Sequence, residues 1–232
     1  MEDANPAFSR TTVVIPAMDE EPTVGKVVEQ ARRYAYQVIV VDGWSRDATF
    51  DRAQQAGAMV IRDRRRGKGD AIRCAIGHIT GTFTVFMDAD GSHDAADIPR
   101  LVEPIASGES DHVTGSRLLG GSSELHGGFD EFFRLTGSSL ITACINWRFK
   151  VRISDSQNGF RALRTDVLRL LDLREDITTI EQEMIIETLR RGYRLSEIPA
   201  HETKRIAGES KLLLSRVWFQ YGWSLAKNMF LR

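Results

Sequence analysis

Four short apolar runs set the strongest limit on how this chain can fold. TTVVIPA (11–17), QVIVVDG (37–43), AMVIRD (58–63) and TFTVFMDAD (82–90) are separated by segments whose apolar residues recur at helical spacing. Short buried strands alternating with amphipathic helices specify βαβ units. The predicted class is therefore α/β with a mostly parallel central sheet. In such sheets ligands bind outside the carboxyl ends of the strands. Asp19-Glu20, Asp42 and Asp88-Ala89-Asp90 all fall at such ends, which predicts one shared ligand crevice.

The intervening helices are expected within 21–34, within 45–57 capped by Ser45 or Asp47 and closed by Gly57, within 67–79 and within 94–107. The second half is less regular. DHVTGSRLLGG (111–121) reads as a strand running into a Gly-rich loop, 115–128, that holds Arg117. Residues 129–149 read as a helix, 151–171 as a turn and then a helix, 179–193 as a helix ended by Gly192, and 194–200 as an edge strand. A polar, cationic loop, HETKRIAGESK, follows. No repeat, low-complexity tract or linker divides the chain. Residues 1–10 are expected as a polar tail, 11–210 as one domain, and 211–232 as a basic amphipathic C-terminal helix.

A length of 232 residues suits one large α/β domain. The net charge of −1 gives no global pull toward nucleic acid, so basic clusters are judged singly. Cys74 and Cys144 share no metal-ligand spacing and are expected as separate reduced thiols. MEDANPAFSR lacks the basic start and apolar run of a signal peptide. No stretch reaches the roughly 20 apolar residues that span a bilayer. The expected compartment is the cytoplasm.

Carboxylates crowd the stretch after residue 86: Asp88, Asp90, Asp94 and Asp97, with His93 among them. Two readings compete. Asp94 and Asp97 suit the first turn of a helix, where acids cap and meet the positive dipole end. Asp88 and Asp90, a DxD pair at a strand end, suit a divalent metal of the Mg²⁺ or Mn²⁺ kind together with nucleotide ribose. RDRRRGKGDAIR (62–73) resembles a nucleic-acid patch, but Gly67-Lys68-Gly69 sits at a strand-to-helix junction that favours phosphate. Arg64 to Arg66 default to a solvated charge run. Asp42 either accepts from a base N–H or forms an Asx turn with Gly43. Arg117, Arg134, Arg205 and Lys211 are surface cations singly and an anion clamp together, and spacing leaves both readings open.

The last segment, 210–232, contains Trp218, Tyr221 and Trp223 and, after Ser210, no acid. Leu214, Val217, Trp218, Tyr221, Leu225 and Met229 follow helical spacing; Lys211, Arg216, Lys227 and Arg232 supply cations. Such a helix lies on an anionic bilayer or packs on the core or on a partner subunit.

Several of these segments resemble a known family. VVIPAMDEEPTV, VIVVDGWSRDAT, GKGDAIRCAI, FMDADGSHDAADIPRL, TGSRLLGG, SDSQNGFRALR, EQEM and RIAGESK occur in the order found in inverting family-two glycosyltransferases. The resemblance is closest to dolichol-phosphate (polyprenyl-phosphate) mannose synthases and covers roughly 11–212. It implies a GT-A (Rossmann-like) fold and sugar transfer from GDP-mannose to a polyprenyl phosphate. The alternatives are a UDP-sugar donor (glucose or N-acetylhexosamine) with a polyprenyl-phosphate or soluble acceptor, and a nucleotide-sugar-binding protein without turnover. By that resemblance Pro16, Asp19, Glu20 and Asp42 hold the nucleoside, and Lys68 faces the diphosphate. Asp88, Ala89 and Asp90 engage ribose and Mg²⁺ or Mn²⁺, with Ser92 as a further ligand. Arg117, Arg134, Arg205 and Lys211 hold the acceptor phosphate and donor diphosphate. Asp155 and Gln157 line the sugar pocket, and Glu183 lies near it. Asp90, Arg117 and Asp155 are the expected catalytic set. The implied setting is peripheral at the cytoplasmic membrane face, without nucleic acid, and with a homo-oligomer left open. Three positions depart from the family pattern. Asp19 stands for the usual Asn, Gly91 for an apolar residue, and Asp94-Ala95 for a Pro-containing turn.

Overall fold

β-branched residues dominate the first two apolar runs and fit a pleated, two-sided environment, so TTVVIPA becomes β1, Thr11–Ala17, and QVIVVD becomes β2, Gln37–Asp42. The structure, a computed structural model, describes residues 10–121, 129–203 and 214–231. Five more strands complete one sheet: β3 Met59–Arg62, β4 Phe83–Phe86, β5 His112–Ser116, β6 Arg161–Arg164 and β7 Leu195–Pro199. Their order across the sheet is β3-β2-β1-β4-β6-β5-β7. Four of the six ladders are parallel, as expected, and the two that involve β6 are antiparallel.

The helices are α1 Val24–Ala31, α2 Thr49–Gln55, α3 Lys68–Ile76, α4 Ile98–Ala106, α5 Arg117–Gly120, α6 Phe129–Phe149, α7 Thr165–Leu170, α8 Ile180–Arg190 and α9 Leu214–Phe230. Side-chain alternation along the strands divides the core in two. Val13, Ile15, Val38, Val40 and Val85 face α1 and α4. Val14, Ile39, Val41 and Phe86 face α3, α7 and α8. Each such buried side chain contributes about 1.5–3 kcal/mol. A third cluster joins Ile141, Cys144 and Ile145 of α6 to Ile185 and Ile186 of α8 and Leu225 and Met229 of α9.

Several expectations change. Ser45 does not cap α2; its hydroxyl accepts from Asp19 N–H at 2.9 Å, and the helix begins only at Thr49. Arg117 lies on the short helix α5 rather than in a loop, because the Ser116 hydroxyl accepts from Leu119 N–H. Residues 161–164 form a central strand where a turn and helix were expected. That strand carries two Arg residues in four positions, and its charged sequence hides it. Both cysteines are free thiols, as expected.

The C-terminal helix is part of the core on one side. Leu225 and Met229, two of the residues expected on a bilayer-facing stripe, lie in the third cluster instead. The Tyr221 hydroxyl donates to Thr178, and Lys227 pairs with Glu175 at 2.6 Å. Among the described side chains of α9, Phe219, Trp223 and Phe230 are exposed, on a different face.

Candidate functional site

The carboxyl ends of β1 and β2 are laced together by their following loops. Gly43 N–H donates to the Ala17 carbonyl at 2.8 Å, and Arg46 N–H donates to Asp19 Oδ1 at 2.9 Å. Glu20 N–H donates to Thr49 Oγ1 at 2.7 Å, while the Glu20 carboxylate accepts from Thr23. Asp19 holds a left-handed backbone with φ of 57°, a conformation that Asp tolerates better than most residues. Pro16, on β1, pairs in register with Val41. Asp42 is buried: its Oδ1 accepts from Ser45 N–H at 3.1 Å, and Arg62 lies 3.6 Å from Oδ2. Asp42 Oδ2 has no hydrogen-bond partner, so the site holds a buried acceptor beside a strand end. Two residues on, the Trp44 ring has the guanidinia of Arg62 and Arg65 at 4.5 Å and 4.3 Å from its centre.

The basic run at 62–73 is therefore not a free patch. Arg64 pairs with Asp70 at 2.9 Å, and Arg73 pairs with Asp70 and Asp176. The start of α3 also departs from expectation. The N–H groups of Gly69 and Asp70 both donate to the Asp176 carbonyl, so they are already engaged rather than aimed at a phosphate. Gly69 makes this approach achievable: a Cβ there would lie 2.1 Å from the Glu175 carbonyl oxygen. What α3 offers the site is the Lys68 side chain.

Lys68 Nζ lies 2.6 Å from Asp88 Oδ1 and 2.6 Å from Glu181 Oε1. Burial alone would lower the Lys68 ammonium, but Asp88 and Glu181 outweigh it, and the net shift is upward. Gly159 forms the wall beside the pair, since a Cβ there would fall 2.8 Å from both Lys68 Nζ and Asp88 Oδ2. Two positions on, Asp90 Oδ1 accepts from the Ser92 hydroxyl at 2.7 Å and from Ser92 N–H at 3.0 Å. Ser92 thus braces Asp90. Ala89 between the two acids is buried. The His93 ring stacks on Phe160 at 4.9 Å, its Nδ1 accepts from Asp88 N–H, and its buried Nε2 has no partner. Asp94 caps the turn that precedes α4 and Asp97 pairs with Arg100, as expected of first-turn acids.

A second cation centre lies across the sheet. Arg117 Nε and one terminal nitrogen hold the two oxygens of Asp155 at 2.6 Å and 3.0 Å, and Glu202 is 3.6 Å from the other. Burial opposes the charge of both partners. Even so, Asp155 raises Arg117, and Arg117 holds Asp155 below the usual carboxylate range. Glu197 fixes this loop from beneath by accepting from the N–H groups of Ser154 and Asp155. Gln157 follows on the same loop and donates to Ser156 and Gln182.

Arg161 of β6 lies fully buried among these groups and donates to the backbone carbonyls of Glu181, at 2.6 Å, and Asn158. Burial pushes it below its ordinary value; Glu181, Asp155 and Asp88 oppose that shift. Arg161 and Glu181 were missed as site residues in the sequence. A lone Arg inside the apolar run FRAL is the one signal that pointed to the first, since Arg is almost never fully buried unless paired. Glu183, expected at the site, is turned away from Lys68: its Oε2 accepts from the N–H groups of Arg174 and Glu175. The acid of EQEM that reaches Lys68 is Glu181. Arg205 and Lys211 lie outside the described residues, as does the Arg134 side chain.

Among the described residues no three His, Cys, Asp or Glu side chains gather to hold a metal by themselves. Two aspartates at a strand end, with Asp88 packed closely against Gly159, fit a hard cation of the Mg²⁺ type. Such ions keep several ligand positions for waters and substrate oxygens.

A family model described as glycosyl transferase family 2 matches residues 12–172. Glycosyltransferase AglJ of Haloferax volcanii is 28% identical over 196 residues, which cover 84% of this chain and 63% of that protein. The chain thus spans less than two thirds of the length of that relative. An uncharacterized protein of Methanocaldococcus jannaschii is 30% identical over 195 residues, 81% of this chain and 79% of that one. Among solved structures, glucosyl-3-phosphoglycerate synthase from Mycobacterium tuberculosis, crystallised with Mn²⁺, UDP and glucosyl-3-phosphoglycerate, matches with a TM-score of 0.76 at 22% identity. The match covers 96% of this chain and 81% of that one. The likeness shows a shared fold, of GT-A type.

Proposed function

The chain belongs to glycosyl transferase family 2, and from that premise we propose that it moves a sugar from a nucleotide sugar to a phosphate-bearing acceptor, with inversion at the anomeric carbon. One observation carries this reading: a cation from a helix start, Lys68, sits on the DxD carboxylate Asp88 at the carboxyl end of the parallel strands. In this reading Asp42, whose buried Oδ2 accepts no hydrogen bond, and the Trp44 ring meet the base, while Asp88 and Asp90 serve ribose and metal. Pro16, Asp19 and Glu20 shape the nucleoside end of the crevice.

An acceptor phosphate is largely anionic near neutral pH, so its attack needs no strong general base. The chain must align that attack and hold the departing nucleoside diphosphate. A bound Mg²⁺ or Mn²⁺ supplies charge stabilisation to that diphosphate. Lys68 adds a positive charge at the same place. Arg117, anchored by Asp155, directs its remaining nitrogen toward Glu202 and the acceptor side, and Gln157 borders the sugar.

The acceptor proposed first is a polyprenyl phosphate, with GDP-mannose as donor. The exposed side chains of Phe219, Trp223 and Phe230 on α9 and Leu140 and Trp147 on α6 support it. Exposed Arg148 and Lys150 lie beside Trp147 in the sequence, and between 136 and 152 and from 214 to 232 there is no acid. Aromatic and cationic side chains together suit an anionic bilayer surface. No helix among the described residues is long and apolar enough to cross a membrane. A second reading, a UDP-sugar donor with a small phosphorylated acceptor, is supported by the ligands of the mycobacterial synthase.

Thermal shift with GDP- and UDP-sugars in Mn²⁺, followed by product analysis, separates the donors, because a ligand of the folded state raises its apparent stability. Stabilisation by no nucleotide sugar would overturn the reading. For the acceptor, Trp147→Ser with Trp223→Ser should abolish flotation on anionic liposomes while leaving donor binding intact. Unchanged flotation would remove the bilayer from the proposal.

A further inference from the structure

The two carboxylates on Lys68 differ in their surroundings. The Asp88 side chain is 29% exposed, whereas the Glu181 side chain is 7% exposed and faces the interior. The backbone at Glu181 is itself fixed, since its carbonyl accepts from buried Arg161. One partner of the lysine thus faces the crevice and the other belongs to the core.

We propose that Lys68 is the resident counter-ion of the DxD carboxylate Asp88, and that Glu181 is a positioning residue that keeps Lys68 when a divalent cation takes Asp88. The inference rests on the nucleotide-sugar reading and adds to it an exchange of cations. A lysine ammonium is a compact charge with three rotatable donors, so it releases one oxygen while keeping another. A planar Arg fork in the same place would hold its acceptor bidentately. Without Glu181, a cation arriving at Asp88 would leave a buried ammonium with no carboxylate, an unfavourable state. Gly159 contributes space, because any Cβ would press on Lys68 Nζ and Asp88 Oδ2 together. The lysine therefore neutralises Asp88 in the empty site and stays at hand, held on Glu181, to meet the incoming diphosphate.

The test is titration of the whole chain with MnCl₂, following free Mn²⁺ by its electron paramagnetic resonance, alone and then with GDP or UDP. Lys68→Met is expected to tighten Mn²⁺ binding about fivefold or more, and Glu181→Gln to weaken it by a similar factor. A simple field from Glu181 would act whether or not the lysine were there, so the double variant decides. In the Lys68→Met background, Glu181→Gln should change Mn²⁺ binding by less than about twofold. If Lys68→Met fails to fold, Lys68→Arg replaces it and is expected to weaken Mn²⁺ binding. Either variant shifting against its stated direction or not at all, or a Glu181→Gln effect undiminished in the double variant, overturns the exchange. If the unaltered chain takes up Mn²⁺ and nucleotide while the variants misbehave, only the exchange falls. If it takes up neither, the exchange and the nucleotide-sugar reading fall together.

Discussion

Two partly buried cations organise the site, and each sits between two carboxylates brought from other segments. Lys68 meets Asp88 and Glu181; Arg117 meets Asp155 and Glu202. The contacts differ in kind. Lys68 touches each oxygen at a single point, and one of its partners is 29% exposed. Arg117 grips both oxygens of an Asp155 side chain that is 2% exposed. A single-point pair at a crevice wall can trade partners, whereas a buried bidentate pair is a fixed strut. On the proposed reading the first centre exchanges partners with ligand, while the second holds the 153–158 loop through Asp155.

The comparison breaks most sharply in turnover. Asp88→Ala or Asp90→Ala is expected to lower turnover at least ~10²-fold in metal-replete buffer, because the leaving diphosphate loses its electrostatic support. Full activity in a product assay would remove both acids from the chemistry. Stability should respond in the opposite order. Asp155→Ala leaves the partly buried Arg117 with only a single-point contact to Glu202 at 3.6 Å and should destabilise the fold by about 3 kcal/mol, read from denaturant unfolding. Asp88→Ala should destabilise it far less, since Glu181 still holds Lys68. Equal losses in the two would contradict the distinction between strut and exchange site.

Gly159→Ala sharpens the first centre alone. Its methyl group would meet Lys68 Nζ and Asp88 Oδ2 at 2.8 Å, so nucleoside-diphosphate affinity should fall about tenfold with little change in unfolding midpoint. Calorimetric titration with GDP and UDP checks this. The smallest effect concerns a third cluster at the rim, where Arg194 and then Arg164 hold Asp111 down to about 2. A depressed carboxylate stabilises the fold above its unfolded pKa of 3.8 and loses that contribution as pH falls through about 2. The guanidinia are half-exposed, so the expected contribution is about 1 kcal/mol. Asp111→Asn should flatten the fall in unfolding midpoint between pH 4 and pH 2, and an unaltered profile would discard the assignment.

Much of the first half was legible because its signals are local. A β-branched run buried on both faces reads as a parallel strand wherever it sits, and β1, β2 and β3 fall within the expected segments. The acids at strand ends follow from the same pattern. The second half was harder. β6 is a four-residue strand whose two Arg residues hide its apolar register, and it is a strand because β4 and β5 flank it on both edges. The C-terminal helix showed its period but not its inner face. Leu225 and Met229 turn inward because α6 and α8 present an apolar groove there.

What the sequence by itself determined is the α/β class, the strand ends that carry Asp19, Asp42, Asp88 and Asp90, and the DxD pair. Each of these depends on residues close together in the chain. What only the tertiary structure decided is which acid meets which cation. Lys68 finds Glu181 rather than Glu183, Arg117 finds Asp155, and Arg161 is buried between the two pairs. Charge attraction acts through space and is blind to sequence separation, so such pairings are settled only when packing brings the segments together.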